Sequence, residues 1–305
     1  MTKPMFLPLP GNEALAAALA NAAGGEAGAI EFRRFPDGES YIRLMSDVRQ
    51  RPVALVCSLA RPDEKTMPLI FAAATVRELG AAQVGLIAPY LAYMRQDKRF
   101  KEGEAVTSVH YARLLSSAVD WLVTVDPHLH RYAGLDEIYT VPTRVVHAAP
   151  RLAAWIRSNI DRPLIVGPDE ESEQWVAAVA AQADAPHVTL TKQRFGDRDV
   201  RIRAPELSQW SNRQPVLIDD IVSSGHTIAA AARLLREAGL PRPTCVAVHA
   251  LLDGEAGTTL ETAVDRLITT NSVAHPTNAI DLAPLVAQAA AEMVEKACRD
   301  LDPAL

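Results

Sequence analysis

The chain alternates between two textures. Short, continuously apolar runs rich in Val, Ile and Leu ("VALVCS", "VGLIAP", "WLVTVD", "LIVGPD", "VLIDD" and "CVAVHALL") are separated by longer, Ala-rich amphipathic stretches. Apolar runs without polar alternation are what strands covered on both faces look like, and their alternation with helical stretches predicts βαβ units around a mostly parallel sheet. The punctuation agrees. "NEALAAALANAAGG" offers Asn12 as an N-cap and Gly24 as a stop, "MPLIFAAATVRELG" ends at Gly80, and "TIAAAARLLREAG" ends at Gly239.

Several of the strands stop at an acid: Asp126 in "VTVDPH", Asp169 in "VGPDEES", Asp219 in "VLIDD". In open parallel sheets ligands bind beyond the carboxyl ends of the strands. One such acid would as readily start a turn or cap a helix; three together predict a site. Prolines bracket "YTVPTRVVHAAP", Tyr139 to Pro150. That punctuation predicts an N-terminal domain over 1–145 and a C-terminal domain of the same α/β class over 146–305, with the last helix, "LAPLVAQAAAEMVEKAC", packing back on the first.

Composition narrows the picture. With 305 residues, 49% hydrophobic and 22% charged, the chain has material for two ordinary cores. No window approaches the roughly 18 to 20 uninterrupted apolar residues of a membrane span, and the prolines of "MTKPMFLPLPGNEA" break any signal-peptide core, so no membrane and a cytoplasmic location are expected. Cys57, Cys245 and Cys298 lack metal-ligand spacing and read as small buried residues. The formal net charge of -6 argues against nucleic acid, which requires basic surface. A small anion held by a local cluster of cations and amides remains open.

"VLIDDIVSSGHTI", Val216 to Ile228, carries the most chemistry. A strand running into Ser223, Ser224, Gly225, His226 and Thr227 and then a helix gathers amides, hydroxyls and a helix N-terminus into one concavity. That suits a terminal phosphate. Asp219 and Asp220 would repel a phosphate and should face sugar hydroxyls or a divalent cation. The pattern is not a Walker loop, having no Gly-Lys-Ser/Thr ending. Elsewhere, "MRQDKRFKEGE" reads on its own as either a phosphate-binding stretch or a solvated, charge-balanced loop. His128 and His130 beside Asp126 are a weak zinc signal, and His110, His147 and His249 read as core or surface. No Gly-x-Ser-x-Gly elbow supports a hydrolase.

The loop resembles the ribose 5-phosphate loop shared by phosphoribosyltransferases and ribose-phosphate pyrophosphokinases. Four further motifs resemble the pyrophosphokinase family alone. "FPDGESYIRL" resembles its nucleotide-contacting segment, matched at Phe35, Asp37 and Glu39. "APYLAYMRQDKRF" resembles its Arg-Gln-Asp run, which implies ATP contacts for Arg95, Gln96 and Asp97. "VTVDPHLH" is similar to the segment whose first His, here His128, lies at Mg-ATP, and "LTKQRFGD" to the catalytic segment whose cations match Lys192 and Arg194. The resemblance covers nearly the whole chain. It implies two similar doubly wound domains of the phosphoribosyltransferase type, and transfer of pyrophosphate from Mg-ATP to ribose 5-phosphate.

It further implies that Asp219, Asp220, Ser223, Ser224, Gly225, His226 and Thr227 hold the sugar phosphate. His128 and Asp169 would sit at Mg²⁺, Lys192 and Arg194 at the transferring group. Because the Phe35 segment reaches ATP across a subunit interface in the family, a homo-oligomer, dimer or hexamer, is implied. The alternatives are a phosphoribosyltransferase and a non-catalytic regulatory relative.

Two departures stand out. Where the family has small residues after its Pro-Asp, Asp169 is followed by Glu170, Glu171, Ser172 and Glu173. Capping of the next helix by Ser172 is the expectation, against a denser metal site. His226 stands where the family commonly has Gly; if that position needs positive φ, His is tolerated at modest cost.

Overall fold

A computed structural model describes residues 3–194, 200–203, 206–252 and 254–301, without the side chains of 171, 192–194, 200–203, 254–256, 261 and 300–301. The chain divides into two compact units. One is His147–Asp281; the other is the chain on either side of it.

The first unit begins with β1 (Met5–Pro8), α1 (Glu13–Ala22), β2 (Glu26–Ala27), the hairpin β3 (Ile30–Arg34) and β4 (Ser40–Leu44), β5 (Pro52–Val56) and α2 (Pro62–Glu78). It continues through β6 (Gln83–Ala88), α3 (Thr107–Ala118), β7 (Trp121–Val125) and β8 (Thr143–Val146). Its sheet runs β2-β1-β5-β6-β7-β8, every pairing parallel, and the hairpin forms a separate two-stranded ribbon. β5, β6 and β7 are buried at every position, as continuously apolar strands between two helical layers must be. Gly85 on β6 faces Trp121 on β7, and a Cβ there would lie 2.0 Å from the indole. The absent side chain makes room for the largest fully buried residue of the core.

The second unit holds α4 (Ala149–Asn159), β9 (Pro163–Gly167), α5 (Glu173–Ala183), β10 (His187–Thr189), the hairpin β11 (Thr191–Arg194) and β12 (Val200–Arg203), and β13 (Gln214–Val222). α6 (His226–Glu237), β14 (Thr244–Ala250), α7 (Gly254–Ala263), β15 (Arg266–Thr270) and β16 (Asn278–Ile280) complete it. Its sheet runs β10-β9-β13-β14-β15-β16, again parallel. The two sheets thus share one strand order, each reversing direction beside its first strand. α8 (Ala283–Leu301) lies with the first unit, against α1, β6, β7 and β8. Gln83 Nε2 donates to its Val294 carbonyl at 3.2 Å, and Arg144 pairs with its Glu292 at 3.0 Å.

Some sequence expectations need correction. β13 does not stop at its acids but runs on to Val222, because Asp219, Ile221 and Val222 keep pairing with Ala247, His249 and Ala250 of β14. Asn12 makes no side-chain cap; buried, it donates to the carbonyls of Leu9 and Pro10 and accepts from the Ser58 amide at 2.8 Å. Ser172 precedes α5 without capping it, its hydroxyl donating to the Asp169 carbonyl at 2.6 Å. Cys57 and Cys245 are buried, whereas Cys298 is half-buried and accepts from Gln83 Nε2. No described helix is long and apolar enough to cross a membrane.

Candidate active site

In the second unit the sheet reverses between β9 and β13, and the crevice beyond their carboxyl ends is where such a sheet binds ligands. Asp169 follows β9 in extended backbone; Asp219 and Asp220 are near the end of β13. The Asp220 amide donates to Asp219 Oδ1 at 3.0 Å, and the Ile221 amide to Asp220 Oδ1 at 2.8 Å. Burial first, then the charges of Asp220 and Asp169, push the Asp219 carboxyl well above the usual carboxylate range. These acids therefore share one field. A hard divalent cation is the kind of ligand whose charge would relieve that repulsion, and three carboxylates are a suitable oxygen donor set for it.

After Val222 the chain turns through Ser223, Ser224 and Gly225, and α6 starts at His226. Gly225 takes the left-handed conformation, φ +73, so the positive φ falls on the glycine and not on His226. The first helical bond runs from the Ala229 amide to the Gly225 carbonyl at 2.9 Å. The amides of 226–228 therefore precede the helix's own acceptors and face the turn, with the positive end of the dipole behind them. Ser224 and His226 are exposed, Ser223 and Thr227 half-buried. Acids, hydroxyls and amides so arranged can hold a molecule bearing hydroxyls at one end and a phosphate at the other.

In the first unit the motifs fall on loops beyond β6 and β7, which are neighbours in the sheet. Arg95, Gln96 and Asp97 follow β6, and His128 follows β7, in left-handed backbone at φ +58 with its ring against His130 at 4.0 Å. Arg95 is exposed. Gln96 is pinned to the start of α3, its Oε1 accepting from Thr107 Oγ1 at 2.7 Å. Asp97, which the resemblance implies as an ATP contact, is buried. Its side chain is only 2% exposed, and both carboxylate oxygens accept from Arg131 Nη1 at 2.9 Å. It is turned inward, tied to the loop that carries Arg131. Arg131 and Tyr132, whose hydroxyl lies 2.9 Å from Ser108 Oγ, were not singled out from the sequence. The available signal was an Asp within a cationic run, with an Arg three residues beyond His128.

Phe35, Asp37 and Glu39 form the exposed tip of the β3–β4 hairpin, set by the Phe35 amide on the Glu39 carbonyl at 2.8 Å and the Glu39 amide on Asp37 Oδ1 at 3.1 Å. The Arg33 guanidinium sits over both the Phe35 and Tyr41 rings, at 4.9 and 4.1 Å. Lys192 and Arg194 lie on β11, paired with Ile202 and Val200; their side chains fall outside the described residues.

The N-terminal domain of ribose phosphate pyrophosphokinase matches residues 5–118, and the phosphoribosyl transferase domain matches 134–287. A ribose-phosphate pyrophosphokinase of Saccharolobus solfataricus is 37% identical over 250 residues, covering 80% of this chain and 84% of that one. That of Methanothermobacter thermautotrophicus is 34% identical over 93% and 98% of the two chains. The chain belongs to the ribose-phosphate pyrophosphokinase family. The crystal structure of phosphoribosylpyrophosphate synthetase from Mycobacterium smegmatis shares the fold, with a TM-score of 0.84 over 97% of this chain and all of that one, at 24% identity. Membership makes the protein an enzyme of the transferase class.

Proposed function

We propose that the protein makes phosphoribosyl pyrophosphate from ATP and ribose 5-phosphate. The anomeric hydroxyl of the sugar attacks the β-phosphorus of ATP, a new oxygen–phosphorus bond forms, the bond bridging the α and β phosphates breaks, and AMP leaves. The observation that carries this reading is the cradle at the β9/β13 reversal, where Asp169, Asp219 and Asp220 adjoin a turn whose amides are gathered at the start of α6. Asp219, Ser223, Ser224, Gly225, His226 and Thr227 hold the sugar phosphate, with Asp220 at the ribose hydroxyls. Phe35, Asp37, Glu39, Arg95 and Gln96 hold the nucleotide. Lys192 and Arg194 act at the transferring group, where catalysis is mostly positioning and cationic charge aimed at the phosphoryl oxygens.

His128 and Asp169 would hold Mg²⁺, which when bound with ATP would supply positive charge against the phosphates. The exposed Phe35 tip supports a homo-oligomer in which this hairpin serves a neighbouring copy's nucleotide. The compartment that fits both substrates is the cytoplasm.

The test is AMP release from Mg-ATP and ribose 5-phosphate, in step with formation of the sugar pyrophosphate. A protein that instead joins a base to phosphoribosyl pyrophosphate, without ATP-dependent AMP release, is a phosphoribosyltransferase. Loss of a cation aimed at developing charge costs about 10²–10³ in kcat, so Lys192→Ala should fall by that much. Turnover within twofold of wild type would remove Lys192 from the mechanism.

A further inference from the structure

The nucleotide motifs sit on two separate loops, one after β6 and one after β7. For Arg95 and His128 to address one ligand these loops must be fixed against each other. Backbone pairing joins them at their base, where the Val125 amide donates to the Pro89 carbonyl at 3.1 Å. Gln96 is tied to α3, through Thr107 Oγ1 at 2.7 Å and the Ser108 amide on its carbonyl at 3.4 Å. The Tyr132 hydroxyl reaches the Asp97 carbonyl, but at 3.4 Å. Further out the loops are joined by an ionic link: Arg131 Nη1 to both oxygens of the buried Asp97.

We propose that Arg131 is a positioning residue of the nucleotide site: by clamping Asp97 it locks the loop bearing Arg95 and Gln96 onto the loop bearing His128. The proposal rests on reading these two loops as the nucleotide edge. Asp97 is shielded from water, so its charge requires a partner, and removing that partner is far more disruptive than removing a surface pair. The guanidinium is itself 42% exposed, and its Cζ lies 5.7 Å from the Phe100 ring, over which Lys98 Nζ also sits at 4.9 Å. Arg131 therefore meets the first loop at two places, Asp97 and Phe100. Since one nitrogen serves both oxygens, the contact is not a two-pronged fork and a lysine can supply it.

The experiment uses the full-length enzyme and compares Arg131→Ala, Arg131→Lys and the double variant Arg131→Ala/Asp97→Asn with wild type. Calorimetric dissociation constants for Mg-ATP, KM for each substrate and melting temperatures are measured. Arg131→Ala should weaken ATP at least tenfold while KM for ribose 5-phosphate stays within twofold. Arg131→Lys should remain within threefold of wild type. The double variant should recover at least threefold of the lost ATP affinity, because a buried amide needs no counter-ion.

Two results overturn the proposal: ATP bound by Arg131→Ala within twofold of wild type, or both substrates weakened alike along with a general loss of melting temperature. If Arg131→Ala does not fold, the lysine and double variants decide by the same criteria. Wild type that binds ATP but forms no AMP refutes the assigned reaction, and the calorimetric comparison still decides the role of Arg131.

Discussion

Gly225 is the position at which fold and function meet most tightly, and Gly225→Ala tests why a glycine stands there. Two independent penalties apply. The residue sits at φ +73, where an L-side chain costs about 1–2 kcal/mol. A Cβ would also lie 2.8 Å from Leu260 Cγ and 3.2 and 3.3 Å from its Cδ atoms, and Leu260 is fully buried, so the overpacking adds about 1–3 kcal/mol. The sum is about 2–5 kcal/mol. At about 2–4 °C per kcal/mol for a unit of this size, the variant should melt roughly 4–20 °C lower, with a raised KM for ribose 5-phosphate because the turn must shift.

A double-mutant cycle with Leu260→Ala separates the two terms. That change alone costs about 2–5 kcal/mol for its cavity, and less in the Gly225→Ala background, where the new methyl enters the space. Denaturant melts should give a favourable coupling of about 1–3 kcal/mol. Additivity within about 0.5 kcal/mol would refute the steric argument, and a Gly225→Ala loss below about 1 kcal/mol would refute the backbone one as well.

Two further outcomes follow from the ionisable groups. Asp219 holds its proton more tightly folded than unfolded, so its contribution is favourable at low pH and is lost as pH rises from about 3.8 towards the raised folded value. Asp219→Asn should therefore raise the melting temperature of the ligand-free protein at neutral pH, with the gap narrowing as pH falls, even as ribose 5-phosphate binding weakens; a variant melting at or below wild type at neutral pH contradicts this. Burial pushes the Cys57 thiol up to about 12 and the buried Cys245 thiol higher still, which makes both inert. An aromatic disulfide reagent at mildly alkaline pH should titrate Cys298 alone in the native protein and all three thiols after denaturation; rapid native labelling of Cys57 would contradict its placement.

What the sequence makes legible is periodicity. The six runs read as strands are all strands, because a run covered on both faces has no polar alternation to confuse it. Their ends are less legible. The acids of β13 look like a stop by composition, yet the strand continues because pairing with β14 satisfies the backbone two residues further. Asn12 looks like a cap by position, but a buried amide group with both a donor and an acceptor does better bridging the loop after β1 to that after β5. Arg131 is faint for a different reason. Its ion pair with the buried Asp97 joins residues 34 positions apart, and an Asp in a cationic run and an Arg just beyond His128 do not by themselves say that the two meet.

The two sheets share one topology, which poses the question of why their motifs sit at different places along the carboxyl edge. In the second unit the acids and the α6 turn flank the reversal point between β9 and β13, as the general rule has it. In the first unit the equivalent crevice, between β1 and β5, is laced by the protein itself. Asn12 spans it by accepting from the Ser58 amide, while its own amide group is anchored on the carbonyls of Leu9 and Pro10. Lys65, its pKa lowered by burial, donates to the Ser58 carbonyl at 2.6 Å. Polar groups that a ligand would have to pair with are thus already satisfied, and displacing them would leave buried donors unmet. The residues read as nucleotide-binding lie instead beyond β6 and β7, where the loops are longer and carry Arg95, Gln96 and His128. One strand order therefore serves two purposes in the proposed reaction: an open reversal point for the sugar phosphate, and a closed one that leaves the adjacent strand ends for the nucleotide.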